Sequence, residues 1–199
     1  MFACLLALAP GAAASNSASY ADPAGDTAEA APDLTAVELS NDDTGAVIFR
    51  ITIPNRPMLG GGDLVSVLVD ADGRSGTGCS RGTFGAEYAL DVLAQRYVFG
   101  RCVRGRWDFT RPPASFRGSF GSSTLTLRAN RRDLGGANGF EFRVGAAGTT
   151  QRDSSYDFAP NVGLDAWAYK IVAPPRAIKK PPKHRARHAQ KLRKRLRRH

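Results

Sequence analysis

From Leu34 to Val172 the chain alternates apolar and polar residues with a period of two, in short runs punctuated by Gly, Pro, Asn and Asp. A helix would need its apolar residues three and four apart, so this alternation confines most of the chain to half-buried strands. "LTAVELS" (34–40), the turn "NDDTG" and "AVIFRITI" (46–53) read as a hairpin, with Gly45 free to take positive φ. "LVSVLVD" (64–70), "AEYALDV" (86–92), "QRYVFGRCV" (95–103), "RWDF" (106–109), "ASFRGSF" (114–120), "TLTLRAN" (124–130), "FEFRVGA" (140–146) and "DAWAYKI" (165–171) continue the series. Val47, Phe49, Ile51 and Ile53 share one face of their strand while Arg50 and Thr52 share the other, and Leu125 and Leu127 repeat the pattern. Sheets with one wet face pack in pairs with their apolar faces together. The expected fold is therefore all-β: an antiparallel two-sheet β-sandwich, jelly-roll-like, over residues 22–173. The one helical candidate is "NRRDLGGA" (130–137), a single turn capped by Asn130 and ended by Gly135.

The two ends follow other rules. Residues 1–14 are small and apolar, and A-x-A-like sites at Ala12–Ala14 and at Ser19–Ala21 give residues 1–21 the look of a signal peptide with its cleavage region. A basic leader segment is missing before it, and no run approaches the roughly 20 apolar residues of a membrane span. The expectation is a secreted, extracellular protein. Residues 174–199 hold twelve Lys or Arg and no acid, in a chain of net charge +10. The other 16 basic and 18 acidic residues leave the remainder at −2, so the basic character belongs to the tail alone. Four prolines make its start linker-like, and the whole is expected to be disordered. Residues 176–198 would attract any anionic surface, a cell-wall polymer or, non-specifically, nucleic acid.

Cysteine usage fits export. Beyond Cys4 there remain Cys79 and Cys102, an even pair in an oxidising compartment. Joined, they close a loop of roughly 24 residues and restrict the unfolded chain by about 3 kcal/mol; two buried thiols are the competing reading. All three histidines, His184, His188 and His199, lie in the tail. The body thus lacks the imidazole that a Ser-His-Asp or Cys-His arrangement requires. Glu38 and Glu141 alternate with apolar neighbours as outward surface residues, and no phosphate-binding motif is present. A non-catalytic role is expected.

Two acidic groups invite a metal. If 64–70 and 86–92 pair, Asp70 and Glu87 meet at the base of a glycine-rich loop with Asp72 just beyond. Converging carboxylates suit Ca²⁺, which takes six to eight oxygens in flexible geometry. The EF-hand pattern fails, because Arg74 and Arg81 occupy ligand positions. A solvated turn in which those arginines neutralise the aspartates explains the same residues. A second cluster, Asp22, Asp26 and Asp33, offers ligands from an extended N-terminal segment. For a saccharide the candidates are Trp107, Trp167 and Tyr97, since flat rings stack on sugars at little entropic cost; each also has a reading as core.

"DPAGD…APDLTAVELSND", "AVIFRITIPNRP", "VSVLVDADGRSGTG", "GAEYAL", "STLTLRANRRDLGG", "FEFRV" and "YDFAPNVGLDAWAY" resemble secreted actinobacterial β-sandwiches, which are similar to the DOMON-like superfamily and to family 9 carbohydrate-binding modules. The resemblance covers roughly residues 22–171. It implies two antiparallel sheets, structural calcium, and binding of sugars between two tryptophans or, in some relatives, of haem. The haem-binding relatives use Met or His, whereas the body here has no His and Met58 as its only Met. The expected function is a carbohydrate-binding-like module held at the envelope by its tail. Its rivals are a structural envelope protein without a small ligand and a polyanion binder acting through the tail.

Overall fold

The computed structural model describes residues 14–27, 30–79, 84–93, 95–149 and 154–172. The apolar stretch 1–13 and the basic tail fall outside these residues. The first sheet opens with β1 (Ala14–Ala21), β2 (Ala36–Asp42) and β3 (Ala46–Thr52). The chain then crosses to a second sheet, where β4 (Asp63–Asp70), β5 (Tyr88–Leu93), β6 (Arg96–Val103) and β7 (Arg106–Asp108) run as a meander. It returns as β8 (Arg117–Gly121) and β9 (Thr124–Asn130), makes a 3₁₀ turn at Arg131–Leu134, and finishes in the second sheet as β10 (Gly139–Thr149), β11 (Ser154–Ala159) and β12 (Trp167–Lys170). The strand orders are β1-β2-β3-β9-β8 and β11-β10-β4-β5-β6-β7, with β12 also pairing β10. The fold is an all-β sandwich of two antiparallel sheets.

Local chemistry sets each element. At the β2–β3 turn Gly45 has φ 82°. Asp42 Oδ1 accepts from the Thr44 N–H, the Thr44 hydroxyl and the Ala46 N–H, which fixes the hairpin register. Asn130 caps the 3₁₀ turn by accepting from the Arg132 N–H, and Gly135 ends it in the left-handed region, as the sequence leads one to expect. Val47, Phe49, Ile51, Leu125 and Leu127 of the first sheet meet Val65, Val67, Leu90 and Val92 of the second, all fully buried. At about 1.5–3 kcal/mol per buried aliphatic or Phe side chain, this layer dominates the stability of the sandwich.

Two strands depart from the sequence reading. β1 occupies residues 14–21 and pairs with β2 along its length, from Ala14 opposite Asp42 to Ala21 opposite Ala36. Among the described residues the sandwich thus includes residues 14–21, inside the stretch that the sequence reads as a cleavage region, and is not confined to 22–173. β1 also laces the two sheets together: the Tyr20 hydroxyl donates to Ala168 O at 2.7 Å and Asn16 Nδ2 to Lys170 O at 2.6 Å. β11 was not foreseen, because it wears the reverse of the usual pattern. Its inward residues are Asp157 and Ala159, while Tyr156 and Phe158 are 61% and 42% exposed.

Candidate functional site

That reversal builds a groove of about 640 Å³ on the outer face of the second sheet. β4 offers Leu64, Ser66 and Leu68 to it, and β11 offers Tyr156 and Phe158. The intervening strand β10 places Gly145 opposite Phe158 and Ala147 opposite Tyr156. These small neighbours leave the ring faces uncovered; a Cβ on Gly145 would touch the Phe158 ring at 3.4 Å. The loop after β11 closes one side with Val162 and Leu164. Polar groups are few. Arg143 donates from Nη2 to Leu164 O at 2.6 Å, its guanidinium lies 5.7 Å from the Phe84 ring centre, and its buried Nε has no hydrogen-bond partner. Ser66 donates to Asp91 at 2.5 Å on the same face. A concave apolar site with a few placed polar groups is the usual form of a ligand pocket.

The aromatic residues named from sequence do not meet there. Trp107 sits half-buried on β7, 6.2 Å from the Phe109 ring, at the edge opposite β11. Trp167 on β12 packs between Tyr20 at 5.1 Å and Phe142 at 5.6 Å. Five strand intervals separate β12 from β7 along the sheet, about 24 Å at the usual spacing. The two tryptophans cannot clamp one sugar ring. Tyr97 is a packing residue: its ring fills the place where a Gly118 side chain would project, with a Cβ there only 1.9 Å from the ring. Tyr156 and Phe158 fall within the segment "YDFAPNVGLDAWAY" that carries the resemblance, but the sequence does not single them out as ligand-binding residues. The signal that marks them is "SSYDFA", in which an acid takes the inward register and rings the outward one.

The carboxylates fare better. Asp70, Asp72 and Glu87 converge, with ligand oxygens all within 4.8 Å of one another. Strand pairing brings this about: Val69 faces Tyr88 across β4 and β5, and the Glu87 N–H donates to Val69 O at 3.0 Å. The loop satisfies these acids itself. Asp70 accepts from the N–H groups of Asp72 and Gly73, Asp72 from the Arg74 N–H and the Thr77 hydroxyl, and Glu87 from the Ala71 N–H and Thr77. Burial pushes the Glu87 carboxyl up and Asp72 and Asp70 add to this, against the pull of Ala71 and Thr77. Cys79 and Cys102 are joined, Cα to Cα 5.4 Å, which pins the far end of the same loop to β6.

In the N-terminal cluster Asp22 and Asp26 meet Asp157 of β11, not Asp33. Asp33 has turned away, both its oxygens accepting from the Gly25 N–H at 3.1 Å. No family model, characterised protein or solved structure matches the chain. Asp22 is only 8% exposed, and its Oδ2 is buried without a partner. Burial, then repulsion by Asp26, Asp157 and Asp33, pushes its carboxyl up to about 7. Asp157 is also raised, chiefly by burial, although the Leu34 and Phe158 N–H groups donate to it at 2.6 and 2.7 Å. No helix among the described residues is long and apolar enough to cross a membrane.

Proposed function

We propose that this chain is an extracellular, non-catalytic binding module that takes a carbohydrate in the outer groove of its second sheet. The observation that carries this reading is the adjacent exposed pair Tyr156 and Phe158, rings uncovered over Gly145 and Ala147 in a groove of about 640 Å³. Two rings on alternate positions of one strand stand about 7 Å apart and present a stacking platform for the apolar faces of successive sugar units. Ser66 and Arg143 line the groove and are the polar groups that would orient a hydroxyl or acidic group there. Binding is favoured over catalysis because the histidines of the chain are confined to residues 184–199. The basic tail, with no acid in residues 174–199, supports retention at an anionic cell envelope.

A glycan array probed with the full chain tests the reading. Tyr156→Ala, at an exposed position, is expected to weaken the captured glycan about tenfold or more, and Trp107→Ala to leave it unchanged. Glycan binding that follows Trp107 and ignores Tyr156 overturns the groove as the site.

A further inference from the structure

We propose that Asp22, Asp26 and Asp157 hold a calcium ion that fastens the N-terminal strap, residues 22–27 and 30–35, to strand β11. The three carboxylates come from segments more than 130 residues apart, yet their ligand oxygens lie within 4.8 Å of one another. No ion pair among the described residues involves any of them. Two of the three are buried, Asp22 at 8% and Asp157 at 4% exposure, and Oδ2 of Asp22 is shut away from water with no donor facing it. A buried carboxylate oxygen without a donor is costly, and two more acids beside it raise the cost. The raised carboxyl of Asp22 has the same origin. The second acidic group, around Asp70, shows the contrast: there every carboxylate accepts from the N–H or hydroxyl groups of its own loop.

The donor set selects the metal. It consists of carboxylate oxygens with no nitrogen or sulfur, which disfavours zinc and copper. A strap and a strand edge give the irregular, expandable shell that calcium accepts and magnesium resists. The position also gives the ion a task. Asp157 lies between Tyr156 and Phe158, Thr27 donates to Tyr156 O at 3.0 Å, and Asn161 Nδ2 donates to Asp26 Oδ2 at 2.8 Å. A cation at this seam therefore fixes both the strand and the loop that wall the groove. The inference does not depend on what the groove binds.

Calcium uptake and melting of the full chain, stripped with chelator and then titrated with CaCl₂, test the assignment. Bound calcium per chain is expected to fall by one in Asp26→Asn and in Asp22→Asn relative to wild type, with loss of the calcium-induced rise in Tm. Asp72→Asn, in the other acidic group, is expected to keep that rise. In chelator Asp22→Asn is expected to melt at least as high as wild type, because the amide removes a repelling charge. An unchanged calcium response in Asp26→Asn, or a lower melting point of Asp22→Asn in chelator, overturns the site.

Discussion

A single carboxylate shows how one residue sets a hairpin. Asp42 at the end of β2 loses hydration on burial, the largest influence on it, yet three hydrogen bonds from Thr44 and Ala46, with Arg128 beyond, outweigh that effect and hold its carboxyl below the ordinary 3.8. Because the folded value is depressed, the stabilisation is fully present above the unfolded value and is lost as pH falls through the folded one. Asp42→Asn keeps an acceptor oxygen and loses the charge, and is expected to cost about 1 kcal/mol at neutral pH, part of the roughly 1.5–3 kcal/mol of a hydrogen bond to a charged group. Urea titrations of the two proteins should converge as the pH is lowered through the acid range. A gap that stays constant down to about pH 2 would show that the charge contributes nothing. The turn itself was legible from "NDDTG" and Gly45, but which of its two aspartates accepts the three bonds was not.

Strands divide by how far their information travels. β2, β3, β9 and the Asn130–Gly135 turn were legible because alternation and caps are written within each segment. The convergence of Asp70 with Glu87 was legible too, since one hairpin brings them together. β11 was not, because its buried face is Asp157 and Ala159, a choice that makes sense only once Asp22 and Leu34 have been folded beneath it. Nor was β1, whose small residues carry little hydrophobic contrast. The partner of Asp22 was missed for the same reason: Asp33 is near in sequence, and Asp157 is near only in space. Glycine at 148 is the other half of this long-range fit. A Cβ there would lie 1.5 Å from Ala30 O, so the strap rests directly on the backbone of β10. Gly148→Ala is expected to destabilise the protein by about 1–3 kcal/mol, as overpacking does, seen as a lower urea midpoint. A midpoint equal to wild type would mean that the strap does not bear on the strand.

The whole molecule separates its tasks by charge. The sandwich side of the chain is close to neutral at −2, and twelve cationic residues follow it with no acid among them. Full-length protein is expected to bind vesicles containing anionic lipid or an anionic wall polymer and to be released by salt, since exposed charges are screened within about 8 Å at physiological ionic strength. Deleting residues 174–199 should abolish that retention in a sedimentation assay while leaving Tm unchanged. Equal sedimentation of the shortened chain would remove the tail from the account. One further consequence follows from the bond between Thr27 and the Tyr156 carbonyl. β11 lies at the rim of its sheet, and an outer strand carrying exposed rings is a natural template for another molecule to extend. The strap lies across that rim like a bolt. Shearing it open would bare that rim to a second copy of the chain.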